Sequence, residues 1–114
     1  MAQSKEMRIY SLLSIAQKAG RLKSGETAVE KSVQGLKSHL VIVAADASEN
    51  TKKQFRDKCA FYEVPCTTFG TKDGIGHAIG KAERSSVSIE DEGLAATLVS
   101  KIDGGKTNGE NEDR

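Results

Sequence analysis

A chain of 114 residues, 37% hydrophobic and 29% charged, is long enough for one globular domain with a real core, about 100 residues of it expected to be ordered. No apolar run approaches the roughly 20 residues of a membrane span, and the opening Met-Ala-Gln-Ser-Lys-Glu lacks the apolar core of an export signal. The reading is a cytoplasmic protein with no membrane partner. A net charge of +1 says nothing about nucleic acid, but residues 1–40 hold seven Lys/Arg against three acids, while residues 102–114 hold two against four. One end of the domain is therefore basic.

The first element in the chain is a helix over Lys5–Ala19, where Met7, Tyr10, Leu12, Leu13, Ile15, Ala16 and Ala19 recur at helical spacing and Gly20 supplies the stop. A short basic extended piece (Arg21, Leu22, Lys23) follows. Ser24 reads as the N-cap of a second helix, Gly25–Gln34, that buries Ala28, Val29 and Val33 and breaks at Gly35 or Leu36. The continuous apolar run Leu40–Ala45 is a strand covered on both faces. Ser48 caps a third helix, Glu49–Glu63, with Phe55, Cys59 and Tyr62 inward. Val64–Phe69 is a strand with Pro65 at its beginning, Thr71–Ile79 a short helix stopped by Gly80, Ser86–Ile89 a strand, and Asp91–Ile102 a last helix. From Asp103 onward no apolar residue occurs, and residues 103–114 are expected to be a disordered polar tail. This alternation specifies a single domain over residues 1–102, a three-layer α/β/α sandwich on a mixed sheet of about four strands with helices on both faces.

The stretch Gly20–Lys31 carries the chemistry. Free amides and the positive dipole end of the second helix suit a phosphate, Gly25 lets another backbone come close, and Arg21, Lys23 and Lys31 supply charge. Taken alone, these residues also fit a serine-capped surface helix, because Glu26 already answers the dipole and repels anions.

Other patterns point away from catalysis. The run Ser100 to Thr107 resembles the second half of a P-loop, but it follows a helix where a P-loop follows a strand. Gly74-Ile-Gly76-His-Ala-Ile-Gly80 has nearly a dinucleotide spacing, yet its first glycine stands five residues past the strand end, so close packing at Gly76 and a C-cap at Gly80 explain it better. Asp46, at a strand end, has no acidic pair to share magnesium and reads as a turn residue. His39 and His77 lack metal-ligand neighbours, and Cys59 and Cys66 fit neither a zinc nor a redox spacing. The two cysteines read as small apolar residues in a reduced compartment. No catalytic residue, metal site, cofactor or small-molecule substrate is expected. The aromatics Tyr10, Phe55, Phe61, Tyr62 and Phe69 fall mostly on inner faces, leaving no stacking platform for single-stranded bases.

The ordered set of parts is more specific than any one of them. A helix, a short strand, the Ser-Gly-opened helix, Leu-Val-Ile-Val-Ala-Ala-Asp-Ala-Ser and Ile-Gly-His-Ala-Ile-Gly-Lys together resemble the L7Ae/L30e ribosomal protein family over about residues 5–102. Ala-Asp-Ala-Ser-Glu-Asn-Thr-Lys-Lys is similar to its small bacterial YlxQ-type branch. The resemblance implies an α/β/α sandwich that binds kink-turn and related bent RNA, with ribosomal RNA and ribosomal proteins as candidate partners. The family's Gly-x-Asn-Glu-x-x-Lys falls on Gly25, Glu26, Thr27, Ala28 and Lys31. Thr27 and Ala28 thus replace the Asn-Glu pair that reads sheared G·A pairs, a departure that puts kink-turn selectivity in question. The family's second RNA-contacting loop falls on Lys81–Ser86, where Glu83 and Arg84 make it more polar than usual. The implied RNA face is Arg21, Lys23, Gly25, Glu26, Thr27, Lys31, Lys37, Arg84 and Ser85. Two other readings stay open: an interaction module of the same fold docking on a protein or ribosome surface, and an RNA-grasping fragment that needs a catalytic partner chain.

Overall fold

The structure, a computed structural model, describes residues 4–103. Its elements are α1 (Lys5–Lys18), β1 (Leu22–Ser24), α2 (Glu26–Gln34), β2 (Leu40–Val43), α3 (Glu49–Tyr62), β3 (Cys66–Thr68), α4 (Lys72–Ala78), β4 (Ser86–Ile89) and α5 (Glu92–Asp103). The sheet runs β1-β4-β2-β3, antiparallel at β1/β4 and β4/β2 and parallel at β2/β3, so it is mixed as expected. Helix α2 packs with α3 on one face, and α1 packs with α4 and α5 on the other. The two crossovers β1-α2-β2 and β2-α3-β3 join parallel strands, so α2 and α3 run side by side in the same direction and start at the same end of the sheet.

The core sits where the sequence is most apolar. All four residues of β2 are buried, and Phe55, Ile75, Leu98 and Val87 are fully enclosed around them. Cross-strand partners share a face. Val41 opposite Ser88 and Val43 opposite Ser86 lie under α2 and α3, while Leu40 and Leu22 opposite Ile89 face the other layer. The seam between α2 and β4 is polar. The Ser88 hydroxyl donates to Ser38 Oγ at 2.7 Å and lies 2.8 Å from Ser32 Oγ, and the Ser32 hydroxyl donates to Glu90 Oε2 at 2.6 Å.

Several boundaries and faces differ from the sequence reading. In α1 the inner stripe is Ile9, Leu13 and Ala16, while Met7 and Ile15 point outward. Phe61 is 78% exposed: with Phe55, Cys59 and Tyr62 at helical spacing on the inner face, position 61 is turned away, and its ring meets the edge of Tyr62 at 5.0 Å. The strands are short, β2 ending at Val43 and β3 starting at Cys66 after Pro65. Helix α5 runs through Asp103; the rest of the expected tail and of the P-loop-like run lies outside the described residues.

Candidate functional site

The site begins at Gly25. Its backbone is held at φ 92°, ψ 151°, a conformation that side chains disfavour, and it turns the chain from an edge strand directly into α2. Gly25, not Ser24, is therefore the N-cap, and no side chain caps the first turn of α2. Ser24 belongs to β1, and its hydroxyl instead accepts a hydrogen bond from Arg84 Nε at 3.2 Å. The expected serine cap would have occupied one of the free amides. Its absence leaves them to an outside acceptor, with the helix dipole behind them.

The glycine turn also continues the β1/β4 ladder by one pair, the Gly25 amide donating to the Ser86 carbonyl at 3.2 Å. Ser86 sits on the sheet face beneath α2, fully buried, and its Oγ is left without a hydrogen-bond partner. A buried unpaired hydroxyl beside an uncapped helix start is an unusual concentration of unmet polar groups.

A loop from the end of α4 brings in the second half. Gly76 in α4 permits its approach, since a Cβ there would stand 2.1 Å from the Ala82 carbonyl oxygen and 2.9 Å from Glu83 Cα. The loop is pinned on both sides, the Arg84 amide donating to the Lys72 carbonyl and the Ala44 amide to the Ser85 carbonyl, at 3.0 and 2.9 Å. The Arg84 guanidinium, half-buried, also donates from Nη1 to the Glu83 carbonyl at 3.1 Å. No carboxylate neutralises it among the described residues. It is a fixed positive charge anchored on backbone carbonyls and Ser24, next to the α2 mouth.

Glu26 is removed from the mouth by its neighbour. Gln54 of α3 donates to Glu26 Oε2 and to Glu30 Oε2, both at 2.9 Å, and Lys58 stands 3.8 Å from Glu30. The two acids thus line the α2/α3 seam. Thr27 and Lys31, four residues apart, form the outward stripe and are exposed, and Ala28 is half-buried on the flank away from α3.

The expected cations do not all gather here. Lys31 lies one and a half turns down α2, but its Cα–Cβ bond tilts back toward the helix start. Lys23, exposed on edge strand β1, is two residues before the turn. Arg21 precedes β1, its carbonyl accepting from the Glu90 amide, which puts it about 13 Å from Gly25 along the strand. Lys37 follows the far end of α2, about 15 Å down its axis. Gly25, Thr27, Lys23, Lys31, Arg84 and Ser85 share one end of the molecule, and Arg21 and Lys37 extend from it along the same flank. Among the described residues none of these cations is in an ion pair.

The alternative chemistries find local explanations. Asp46 Oδ1 accepts from the Lys72 amide at 2.8 Å at the start of α4. Among the described residues no group of three or more His, Cys, Asp and Glu is arranged to hold a metal ion, and no helix is long and apolar enough to cross a membrane. What the residues themselves did not reveal is the Ser24–Arg84 contact, because 60 residues separate its partners and only the sheet register joins them.

The family model described as "Ribosomal protein L7Ae/L30e/S12e/Gadd45 family" matches residues 7–99. The chain is 37% identical over 97 residues to the RNA-binding protein YlxQ of Bacillus subtilis, covering 85% of this chain and 97% of that one. It is 28% identical over 107 residues to the large ribosomal subunit protein eL8 of Picrophilus torridus, covering 90% and 84%. A solved structure of a protein with unknown function from Bacillus halodurans superposes with a TM-score of 0.81 at 40% identity, over 84% of this chain and 97% of that one.

Proposed function

The chain belongs to the ribosomal protein L7Ae/L30e/S12e/Gadd45 family, and from that premise we propose that it is a non-catalytic binder of structured RNA, kink-turn-like or ribosomal, acting as a ribosome-associated protein of the cytoplasm. The observation that carries the reading is the uncapped start of α2 at Gly25, set beside an Arg84 guanidinium that no carboxylate neutralises among the described residues. RNA backbone phosphates accept from the free amides around Glu26 and Thr27, while Arg84 and Lys31 balance their charge and Ser85 closes the side of the loop. Lys23, then Arg21 and Lys37, meet the next stretch of backbone along the same flank. The name of the Bacillus subtilis relative supports RNA as the ligand, and the Picrophilus torridus relative supports the ribosomal setting.

Base selectivity is a separate matter. Thr27 offers one hydroxyl and Ala28 none, so this mouth holds backbone better than it reads bases. A binding titration of the full chain against a kink-turn RNA, a plain duplex and a single strand tests both parts. Binding of both folded RNAs over the single strand supports the proposal. Installing Asn at 27 and Glu at 28 should then raise kink-turn preference over duplex by about 5- to 150-fold, the worth of a bidentate base contact. No binding to any of the three at low salt would favour the second reading, a module of this fold that docks on a protein or ribosome surface, for which Ala28 is the specific support.

A further inference from the structure

The two cysteines, seven positions apart in sequence, are side by side in the fold. Cys59 is on the inner face of α3, 1% exposed, and Cys66 opens the edge strand β3, opposite Val41 on the face that α3 covers. The connection between them is short and tied down: the Val64 amide donates to the Cys59 carbonyl at 2.8 Å. Cys59 continues the stripe of α3 that carries Lys52 and Arg56, so its thiol points at the same edge strand that Cys66 opens. Cys66 is not sealed in. It lines an open pocket of about 260 Å3 with Lys52, Arg56 and Thr68, and both cations come from the α3 face above it.

This environment separates the two thiols. The neighbouring Cys59 thiol, helped by the Arg56 charge, holds the Cys66 thiol below its ordinary value against the effect of burial. The Cys66 thiol beside it, together with burial, pushes the Cys59 thiol up. One thiol lines an open pocket beneath two cations, and the other is enclosed behind it. That is the division between an attacking and a resolving cysteine.

We propose that Cys66 and Cys59 are a peroxide-oxidised thiol pair that closes reversibly into an intramolecular disulfide between β3 and α3. The Cys66 thiolate attacks one oxygen of a small hydroperoxide in the pocket. The O–O bond breaks, and the departing hydroxide or alkoxide, held by Arg56 and Lys52, takes a proton to leave as water or alcohol. Cys66 becomes a sulfenic acid. The Cys59 sulfur then attacks the Cys66 sulfur, the S–O bond breaks, and hydroxide leaves as water with the Cys59 proton. Two electrons pass from the thiols to the peroxide, and a dithiol reductant reverses the change. Closing the bond brings the sulfurs to about 2 Å, a movement taken up by the three-residue connection between α3 and β3. A disulfide of this kind in a reducing compartment is transient and regulatory, not structural.

The test uses the full chain, reduced, freed of reductant and treated with hydrogen peroxide. Residues 59–72 form one tryptic peptide holding both cysteines. The expected product is that peptide lighter by two hydrogens, resistant to alkylation until dithiothreitol is added. Replacing Cys59 by Ser should let dimedone trap the Cys66 sulfenic acid, and Cys66→Ser should slow loss of the remaining thiol by about tenfold or more. Thiols that outlast free cysteine under the same peroxide would overturn the proposal. So would Cys66 oxidised to sulfinic acid with Cys59 still reduced, or a disulfide joining two chains. Because the wild-type peptide alone decides between these outcomes, a variant that failed to fold would not rescue the idea.

Discussion

At the scale of single residues, the decisive feature of the proposed RNA face is which cations stay unpaired among the described residues. Glu26 and Glu30 stand five and one positions from Lys31, spacings that do not face it on a helix, and Gln54 and Lys58 hold both acids in the α2/α3 seam. Lys31 is left on the outward stripe with Thr27. Lys31→Ala should weaken binding to every folded RNA alike and reduce the slope of log affinity against log salt by about one unit, as expected for one lost phosphate contact. Fluorescence anisotropy titrations at several salt concentrations measure both quantities. An unchanged slope would place the backbone contact elsewhere. Gly25, Lys31 and Arg84 stand out in the sequence by type and position as members of the proposed face. The misreading of Ser24 has a physical cause. Serine before a helix is a good cap when the chain enters from a loop, but here it enters from a strand, and the residue that makes the turn takes the cap position.

At the scale of elements, two local conflicts show where the fold overrides propensity. The first is α4 against the loop it carries. The contact at Gly76 is backbone to backbone, with a Cβ placed 2.7 Å from the Ala82 carbonyl carbon, so no side-chain rotation relieves it. Gly76→Ala should cost about 1–3 kcal/mol in stability through overpacking. Because the displaced loop ends in Arg84 and Ser85, RNA affinity should fall as well, and chemical denaturation and RNA titration read the two effects independently. Retained affinity in a destabilised protein would separate the loop from the site. The second conflict is the end of α2. Lys37 and Leu36 donate back to the Ser32 and Val33 carbonyls at 3.0 and 3.1 Å, a helix stop that calls for a left-handed residue, and Leu36 fills it at φ 62° while 77% exposed. The available glycine, Gly35, lies one position too early. Leu36→Gly should therefore raise stability by about 0.5–1 kcal/mol, seen as a higher urea midpoint at constant slope. A lower midpoint would show that the Leu36 side chain contributes packing that its exposure conceals. Helix periodicity foretold each of these elements, but sequence alone left the stop of α2 open between residues 35 and 36.

At the scale of the whole molecule, the near-neutral net charge and the basic flank are compatible because the sheet sorts the chain. The crossovers through α2 and α3 start both helices at one end of the sheet, where the loop from α4 also arrives. The site is therefore assembled from two segments about 60 residues apart and held by β4. The same sorting sets Cys66 on an edge strand under α3, with Arg56 and Lys52 above it, and so separates the thiol pair at β3 from the proposed RNA face at β1 by the width of the sheet. Hydrophobic runs and turn residues, read in order, were enough to specify the alternation of elements, the α/β class, the buried central strand and the family resemblance, because each depends on local periodicity or on motif order. Strand order, the identity of the α2 cap, the burial of Ser86, the outward turn of Phe61 and the meeting of Cys59 with Cys66 were decided only by tertiary packing. These depend on contacts between residues of different elements, and such contacts leave no periodic signal along the chain.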